Sequence, residues 1–153
     1  MIRRYILGIA VAVAVVAVDL ATKRYAAVRF KSDPVTVIPG LLRFSYTENS
    51  GAAFSLFQGA GPLIGLIAIG VALGILWTLR LERHPVDTVA LALILGGALG
   101  NLADRIFRGD GFLDGLVIDW IVLWRIPTFN LADTSIFTAV VLLLIASWKS
   151  DST

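Results

Sequence analysis

Four long apolar runs divide the chain, and each has the length of a membrane-spanning helix. They cover about 5–22, 62–79, 85–103 and 127–148, and a helix that crosses the hydrocarbon core of a bilayer needs about 20 predominantly apolar residues. Pro62, Pro85 and Pro127 stand at the starts of the last three runs, where proline is favoured in the first turn of a helix. The pattern predicts one integral membrane domain over 1–153, an all-α bundle of four transmembrane helices.

A polar segment between the first two runs, about 28–48, follows a different period. Its apolar and polar residues alternate as in a half-buried strand: Leu42, Phe44 and Tyr46 against Arg43, Ser45 and Thr47. Val35–Ile38 is expected to pair with this strand through a turn at Pro39-Gly40, which gives a small extramembrane β-strand cradle. The apolar segment Ala52–Phe57 is too short to span a bilayer, so we interpret it as a short interfacial helix or turn.

The composition supports the membrane assignment and excludes several function classes. Of the 153 residues, 58% are hydrophobic and 16% are charged, and the mean hydropathy is +0.85. A formal net charge of +2 is too small to indicate nucleic acid as a partner. The chain has no cysteine, which excludes disulfides, thiolate catalysis and cysteine metal sites.

Arg3 and Arg4 followed by an apolar run also resemble the start of a cleavable signal peptide. The transmembrane interpretation fits better, because only 14 uncharged residues separate Arg4 from Asp19 and a full-length helix must include Asp19. Asp19 then lies about one turn inside the membrane, with Lys23 at the end of the helix. In the third span, the glycine-rich run 95–100 permits close approach of a neighbouring helix.

Four spans joined in order bring most of the chemistry-bearing residues to one membrane face. That face receives Asp19, Lys23, Glu48, Asn49, Asn101, Asp104, Arg105, Asp119, Asn130 and Asp133. Eight basic residues fall on it and five on the opposite face, so a simple positive-inside count puts the site in the cytoplasm. Several of the eight are expected to be bound within the site or its folded surroundings, and the residues alone leave the orientation open.

The candidate chemistry at this face is that of paired carboxylates. The single histidine, His84, falls on the opposite face, where it is expected to cap a helix or contact lipid headgroups. A Ser-His-Asp triad and a zinc site are therefore disfavoured, whereas a calcium or magnesium site made of carboxylates stays open. Two aspartates held close together share a proton, so that one acts as base and the other as acid. Such a pair activates water to attack a peptide carbonyl.

The tetrapeptide Asn-Leu-Ala-Asp occurs twice, at 101–104 and 130–133, and makes Asp133 one candidate member of the pair. The candidate partners are Asp19, Asp104 and Asp119, with Asp110 and Asp114 as more remote loop residues. Three of these also have a structural interpretation: Asp104 as ion-paired with Arg105 or capping a helix, Asp19 as ion-paired with Lys23, and Asp119 as a solvated loop carboxylate. Asn101 and Asn130 either bond helix ends or orient the acids and the substrate backbone.

Five short motifs, in this order, resemble those of the lipoprotein signal peptidases (signal peptidase II), the membrane aspartyl peptidases of bacteria. They are Asp19-Leu20-Ala21-Thr22-Lys23, similar to D-Q-x-T-K; Asn49-Ser50-Gly51-Ala52-Ala53-Phe54, similar to N-x-G-A-A-F; Gly96–Arg105, similar to G-G-A-x-G-N-x-x-D-R; Val117–Trp120, similar to V-V-D-F; and Phe129–Asp133, similar to F-N-x-A-D. The chain departs from the family in having Leu20 where Gln is usual and Trp120 where Phe is usual. The interval from Asp104 to Asp119 looks long for the family, and that from Asp119 to Asp133 looks short.

The resemblance implies a catalytic dyad of Asp119 and Asp133, with no metal and no other cofactor. The residues implied to bind substrate or support the site are Asp19, Lys23, Asn49, Gly51, Asn101, Asp104, Arg105 and Asn130. The implied reaction is removal of the signal peptide from diacylglyceryl-modified prolipoproteins by cleavage before the lipidated cysteine. The strand segment then cradles the substrate, and Ala52–Phe57 acts as a mobile lid.

The resemblance also implies a location. It places the protein in the bilayer of the bacterial cytoplasmic (inner) membrane, with both termini inside and the site near the extracytoplasmic face. We expect the protein to be a monomer. Two rival interpretations remain. A small proton-coupled transporter predicts ionisable residues spread across the membrane depth, whereas a non-catalytic assembly subunit accounts for the glycine-rich packing and leaves the acidic motifs without a role.

Overall fold

The computed structural model describes residues 2–51, 60–81 and 84–151, which form four long helices and three short strands. The helices are α1 (Ile2–Arg29), α2 (Gly61–Thr78), α3 (Pro85–Phe107) and α4 (Leu131–Asp151). The strands are β1 (Val35–Ile38), β2 (Leu42–Asn49) and β3 (Val117–Leu123). Each helix is long and apolar enough to cross a membrane. The predicted bundle of four transmembrane helices with a small extramembrane sheet is therefore confirmed.

α3 is the central helix of the bundle, because α1, α2 and α4 all pack against it. A Cβ placed on Gly96 lies 2.6 Å from the side chain of Val15 on α1, and one placed on Gly97 lies 2.5 Å from the backbone oxygen of Ala132 on α4. Only glycine fits at such distances, which confirms the close helix packing predicted for this run. α2 and α4 do not form a packed pair over the residues that the structure describes.

The helices α1 and α3 extend beyond their predicted spans at the end of the bundle that carries the sheet. α1 continues to Arg29 rather than ending at 22, because alanine is the best helix former and Ala26 is fully buried. At 1.5 Å per residue α1 is about 42 Å long, more than the hydrocarbon core of a bilayer requires. α3 likewise continues to Phe107 rather than ending at 103. The last turns of both helices therefore reach the level of the sheet.

The predicted start of α4 near Pro127 is wrong, because the helix begins at Leu131. The backbone N–H of Phe129 donates to the oxygen of Ile121 at 3.1 Å, and the N–H of Ile121 donates to the oxygen of Phe129 at 2.9 Å. The residues before α4 are thus extended against β3 and unable to join the helix. This leaves Asn130 directly before the first turn.

The three strands form one antiparallel sheet in the order β1-β2-β3. The predicted pairing of β1 with β2 is confirmed, and its turn contains Gly40 at φ +74°, a conformation that favours glycine. β3 is not predicted by the sequence, and its burial of Asp119, which is 2% exposed, shows that the interpretation of Asp119 as a solvated loop carboxylate is wrong. In the sheet, Asp119 lies opposite Thr47 of β2, so β3 carries Asp119 to its position.

An aromatic cluster joins the sheet to the end of α1. The ring centroid of Phe30 lies 5.5 Å from that of Phe44 on β2 and 6.1 Å from that of Trp120 on β3. Phe30 is only 6% exposed, so the cluster is a small core of its own beneath the strands. The interfacial helix and lid hypothesised at Ala52–Phe57 lie outside the described residues.

Candidate active site

The chain contains three asparagines, and all three donate a side-chain amide hydrogen bond to Asp119 or Asp133. Asn49 Nδ2 donates to Asp119 Oδ2 at 2.9 Å and Asn130 Nδ2 donates to Asp119 Oδ1 at 2.7 Å. Asn101 Nδ2 donates to Asp133 Oδ1 at 2.8 Å. Residues from β2, α3, β3 and the start of α4 thus meet around two carboxyl groups, which are the two that the family resemblance implies as a pair.

Asp119 is the more deeply buried of the two acids, with 2% of its surface exposed. Burial raises the pKa of Asp119 from 3.8 to about 7, against hydrogen bonds from Asn49 and Asn130 that lower it, and the nearby charge of Asp133 raises it further. Burial acts in this direction because a carboxylate loses hydration when it leaves water. Asp119 therefore titrates close to neutral pH.

Asp133 lies in the first turn of α4 and forms a reciprocal cap with Asn130. The backbone N–H of Asp133 donates to Asn130 Oδ1 at 3.0 Å, and the backbone N–H of Asn130 donates to Asp133 Oδ2 at 3.2 Å. This is the geometry of a capping box, with Asp in the place of the usual Glu or Gln. The positive end of the helix dipole adds a favourable field for the carboxylate of Asp133.

Asn130 connects the two acids, since its backbone bonds Asp133 while its side chain bonds Asp119. The same amide also approaches Asn101 Oδ1 at 3.0 Å and the backbone oxygen of Ile118 at 3.2 Å. Asn130 is completely buried. A single rigid residue therefore sets the relative position of β3 and the first turn of α4.

A buried ionic cluster supports this arrangement from the side of α1. Lys23 Nζ lies 2.7 Å from Asp19 Oδ2 and 3.0 Å from Asp104 Oδ2, and it donates to Asn101 Oδ1 at 2.8 Å. Asp19 Oδ1 accepts from the backbone N–H of Ala132 at 2.9 Å, an amide in the first turn of α4. The predicted Asp19–Lys23 ion pair is thus confirmed, and it ties α1 to both α3 and α4.

Asp104 does not form an ion pair with Arg105, its neighbour in the sequence. Its ion pairs in the described part of the chain are with Lys23 at 3.0 Å and Arg108 at 4.0 Å, so the predicted pair with Arg105 is wrong. Successive residues on a helix do not face each other. Asp104 Oδ2 also accepts from the backbone N–H of Ile118 at 3.2 Å. Asp104 thereby holds β3 immediately before Asp119.

Arg105 acts on the other side of the site. The buried guanidinium donates from Nη2 to the backbone oxygen of Gly51 at 3.0 Å. The N–H of Gly51 in turn donates to Asn49 Oδ1 at 2.9 Å, which leaves the Nδ2 of Asn49 directed at Asp119. The sequence candidates Asn49, Gly51 and Arg105 therefore form one chain of contacts that ends on Asp119.

The loop aspartates and the histidine lie apart from this network. Asp114 accepts from the backbone N–H of Gly111 at 3.0 Å within the loop, and Asp110 is exposed. His84 caps α3 by accepting from the N–H of Val86 at 3.4 Å, as one of its two interpretations predicted. The buried carboxylates of the described residues, Asp19, Asp104 and Asp119, all lie at one end of the bundle. The transporter interpretation predicts a spread across the membrane depth instead.

One supporting residue escaped the sequence reasoning. A Cβ on Gly100 lies 2.6 Å from Asp19 Oδ2, so only glycine lets the carboxyl of Asp19 reach its place between α3 and α4. Gly100 belongs to the glycine-rich run 95–100, which predicts close helix packing in general and not a contact with Asp19. The described arrangement is a buried acid beside a capped, partly exposed acid, which is suited to general acid–base chemistry.

Comparisons with known proteins agree with this arrangement. Residues 11–149 match the family described as Signal peptidase (SPase) II. A lipoprotein signal peptidase of Mycobacterium avium (strain 104) is 41% identical over 146 residues, which cover 95% of this chain and 80% of that protein. One of Rhodococcus jostii (strain RHA1) is 38% identical over 144 residues, which cover 94% of this chain and 73% of that protein. A bacterial membrane enzyme solved by the in meso method at 2.3 Å resolution is 31% identical, with a TM-score of 0.83 over 95% of this chain and 90% of that one.

Proposed function

Because this chain belongs to the signal peptidase II family of lipoprotein signal peptidases, we propose that it is an aspartic-type endopeptidase for diacylglyceryl-modified prolipoproteins. Asp119 and Asp133 form its catalytic pair, and the cut falls just before the lipidated cysteine. The observation that carries this proposal is the unequal setting of the two acids on either side of Asn130. One is buried with a pKa near neutrality, and the other is held at a helix N-terminus.

Asp133 acts as the general base. It accepts hydrogen bonds from the side-chain amide of Asn101 and the backbone N–H of Asn130, and it lies at the positive end of the α4 dipole. These contacts suit an ionised carboxylate. Asp133 is also only partly buried, so water reaches it.

Asp119 acts as the general acid. With a pKa of about 7 it holds a proton up to neutral pH, which is the protonation state that a proton donor needs. Asn49 and Asn130 fix its two oxygens but leave each oxygen a second position for a hydrogen bond. The acid proton is therefore free to point toward the substrate.

The reaction follows from these two protonation states, an ionised Asp133 and a protonated Asp119. Asp133 removes a proton from a water molecule, and the water oxygen forms a bond to the carbonyl carbon of the scissile peptide. Asp119 gives its proton to the carbonyl oxygen, which yields a neutral tetrahedral intermediate. Collapse breaks the C–N bond, the leaving nitrogen takes the proton from Asp133, and a hydroxyl proton of the intermediate returns to Asp119. No covalent bond to the enzyme forms.

The substrate enters as a membrane helix, and the fold offers a place for it. α2 and α4 both pack on α3 without forming a packed pair over the described residues, and Asp133 lies at the sheet end of α4. We place the signal peptide along this side of the bundle and its cleavage point between the dyad and the sheet. The chain acts as a monomer without a metal or other cofactor.

We place the site at the extracytoplasmic face of the bacterial inner membrane. The large number of basic residues on this face argues against such an orientation only if they all face solvent. Lys23 and Arg105 are buried, and Arg29 and Arg108 pair with Asp33 and Glu48. Half of the eight basic residues are thus neutralised or enclosed by the fold, so the positive-inside count overstates the charge on this face.

The test is turnover of a diacylglyceryl-modified precursor by the purified full chain in lipid nanodiscs. We expect Asp119→Asn and Asp133→Asn each to abolish cleavage while thermal unfolding still shows a folded protein. Asp110→Asn, an exposed loop aspartate, is the matched control and keeps wild-type turnover. We also expect inhibition by globomycin, an antibiotic that blocks this family. Near-normal turnover by either dyad variant contradicts the assignment, and no cleavage by the wild type contradicts the proposed activity.

A further inference from the structure

Lys23 makes three polar contacts although only 1% of it is exposed. Two of them are ion pairs, with Asp19 at 2.7 Å and Asp104 at 3.0 Å. The third is a hydrogen bond of 2.8 Å from its Nζ to Asn101 Oδ1. The first two contacts are those expected of a lysine that only forms buried ion pairs. The third links the cluster directly to the residue that bonds Asp133.

The amide of Asn101 has its two ends in chemically different surroundings. Its oxygen accepts from Lys23 Nζ at 2.8 Å and from Asn130 Nδ2 at 3.0 Å, while its nitrogen donates to Asp133 Oδ1 at 2.8 Å. A lysine ammonium has three donors and no acceptor. Lys23 therefore forms a hydrogen bond with only one of the two possible orientations of the Asn101 amide, the one in which the amide oxygen faces its ammonium.

Rotating the amide of Asn101 by half a turn converts every one of these contacts into a mismatch. Its NH₂ then faces the ammonium of Lys23 and the NH₂ of Asn130, and its oxygen faces the carboxyl of Asp133. In a buried site an unpaired donor or acceptor loses its full hydration energy. Of the two donors that hold the oxygen, only Lys23 carries a charge and is itself fixed by two carboxylates.

Resting on the proposed function, we propose that Lys23 is a positioning residue for the reaction: its ammonium fixes the Asn101 amide so that the Nδ2 group faces Asp133. This hydrogen bond to Oδ1 acts together with the one from the backbone N–H of Asn130 to Oδ2. The two bonds fix the carboxyl of Asp133 and leave each oxygen a second acceptor position for water. The ion pairs with Asp19 and Asp104 hold the ammonium in place. Lys23 thus acts on the base through Asn101 and touches neither water nor substrate.

The main test compares Lys23→Met with Lys23→Arg in the purified full chain, using turnover of the diacylglyceryl-modified precursor. Methionine keeps an unbranched side chain that lacks the terminal ammonium and its donors. We therefore expect kcat to fall about 10- to 100-fold, the effect of one hydrogen bond to a charged group, and KM to stay within about threefold. Arginine keeps charge and donors and restores a large part of kcat. Arg29→Gln, which breaks an exposed ion pair on the same helix, is the matched control with wild-type kinetics.

A spectroscopic measurement separates positioning from a purely structural role. The chain has three asparagines, so selective [¹⁵N]asparagine labelling gives three side-chain NH₂ pairs in an NMR spectrum, assigned by substituting each residue in turn. In Lys23→Met we expect the Asn101 pair to shift or broaden and the Asn49 pair to stay in place. If all three pairs keep their wild-type positions and kcat stays within about twofold of wild type, the proposal is overturned.

Lys23→Met removes the close cation from two buried carboxylates, although Asp104 keeps its 4.0 Å pair with Arg108, and removal of one partner of a buried pair is strongly destabilising. Lys23→Met/Asp19→Asn removes one of the stranded charges, and its asparagine oxygen still accepts from the N–H of Ala132. We expect this variant to fold with the same low kcat as the single variant. Wild-type kcat in the folded double variant contradicts the role of Lys23. Absence of cleavage by the wild type contradicts the proposed function instead, so the two failures are distinguishable.

Discussion

Asn130 and Asp133 are bonded to each other twice: Asn130 Oδ1 accepts from the backbone N–H of Asp133 at 3.0 Å, and Asp133 Oδ2 accepts from the backbone N–H of Asn130 at 3.2 Å. A capping box normally serves only the helix that it begins. Here its acidic member is the proposed base, and its asparagine also donates to the proposed acid, Asp119, at 2.7 Å. The cap of α4 and the geometry of the dyad are therefore one structural unit.

Separate substitutions at Asn130 divide this unit into its two roles. Asn130→Ser keeps a good cap but removes the buried amide donor to Asp119, so we expect kcat lowered about 10- to 100-fold together with some loss of thermal stability. Asn130→Ala removes both the cap and the amide donor, so we expect it to be less stable than Asn130→Ser by about 1 kcal/mol. The measurements are turnover of the lipidated precursor and thermal unfolding. Equal stability of the two variants contradicts the capping role.

The pH dependence of activity follows from the raised pKa of Asp119, which is about 7. As the acid, Asp119 must be protonated, so we expect kcat/KM to fall as the pH rises through about 7. Donation from Asn49 lowers this pKa, because it stabilises the carboxylate. Asn49→Ala therefore moves the alkaline limb to higher pH, and a limb that stays fixed or moves to lower pH contradicts the assignment of Asp119.

The same group gives a pH dependence of stability with a definite sign. Asp119 titrates near 3.8 in the unfolded chain and near 7 in the folded one, so between these values the folded state binds more protons. Its contribution to stability therefore decreases as the pH rises from about 4 to about 7 and is constant above that. Thermal unfolding of the wild type and Asp119→Asn across this range checks it, since the asparagine variant lacks this part of the slope.

The sequence predicts the membrane part of this fold well, because hydrophobic length is a local property. The alternation of Leu42, Phe44 and Tyr46 likewise predicts β2. The sequence does not predict β3, because Val117–Leu123 is nearly continuously apolar and its first residues are buried in succession. Such a run lacks the period that identifies a half-buried strand.

The candidate site likewise has a part that the sequence predicts and a part that it does not. The motifs identify Asp119, Asp133 and the three asparagines, but the pairing of the remaining charges depends on tertiary distance. Asp104 has Arg105 beside it in sequence and Lys23 beside it in space. Neighbouring helical positions point in different directions, so sequence adjacency indicates the wrong partner. The proposed dyad comes from the family resemblance, whereas the proposed role of Lys23 rests on the orientation of the Asn101 amide, which only the structure gives.

The aromatic cluster beneath the sheet gives a prediction about how Asp119 is supported. Phe30 contacts Phe44 and Trp120 and is 6% exposed. We expect Phe30→Ala to destabilise the fold by about 3 kcal/mol, within the range for a buried phenylalanine, and to lower kcat because β3 carries Asp119. Phe112→Ala is the control, since Phe112 is 68% exposed. Thermal unfolding and precursor turnover are measured together, and equal effects of the two variants contradict the cluster's role.

Glycine 100 gives the sharpest test of how closely the site is built. An added methyl at Gly100 lies 2.6 Å from Asp19 Oδ2, whereas one at Gly70 meets no atom within 4 Å. Alanine is favoured over glycine in a helix by up to about 1 kcal/mol, so Gly70→Ala is expected to leave stability unchanged or raise it. Gly100→Ala gains the same propensity but displaces Asp19 and with it Lys23, and overpacking costs about 1–3 kcal/mol. We therefore expect lower thermal stability and lower kcat for Gly100→Ala alone. If both variants behave alike, helix propensity rather than the contact with Asp19 governs position 100.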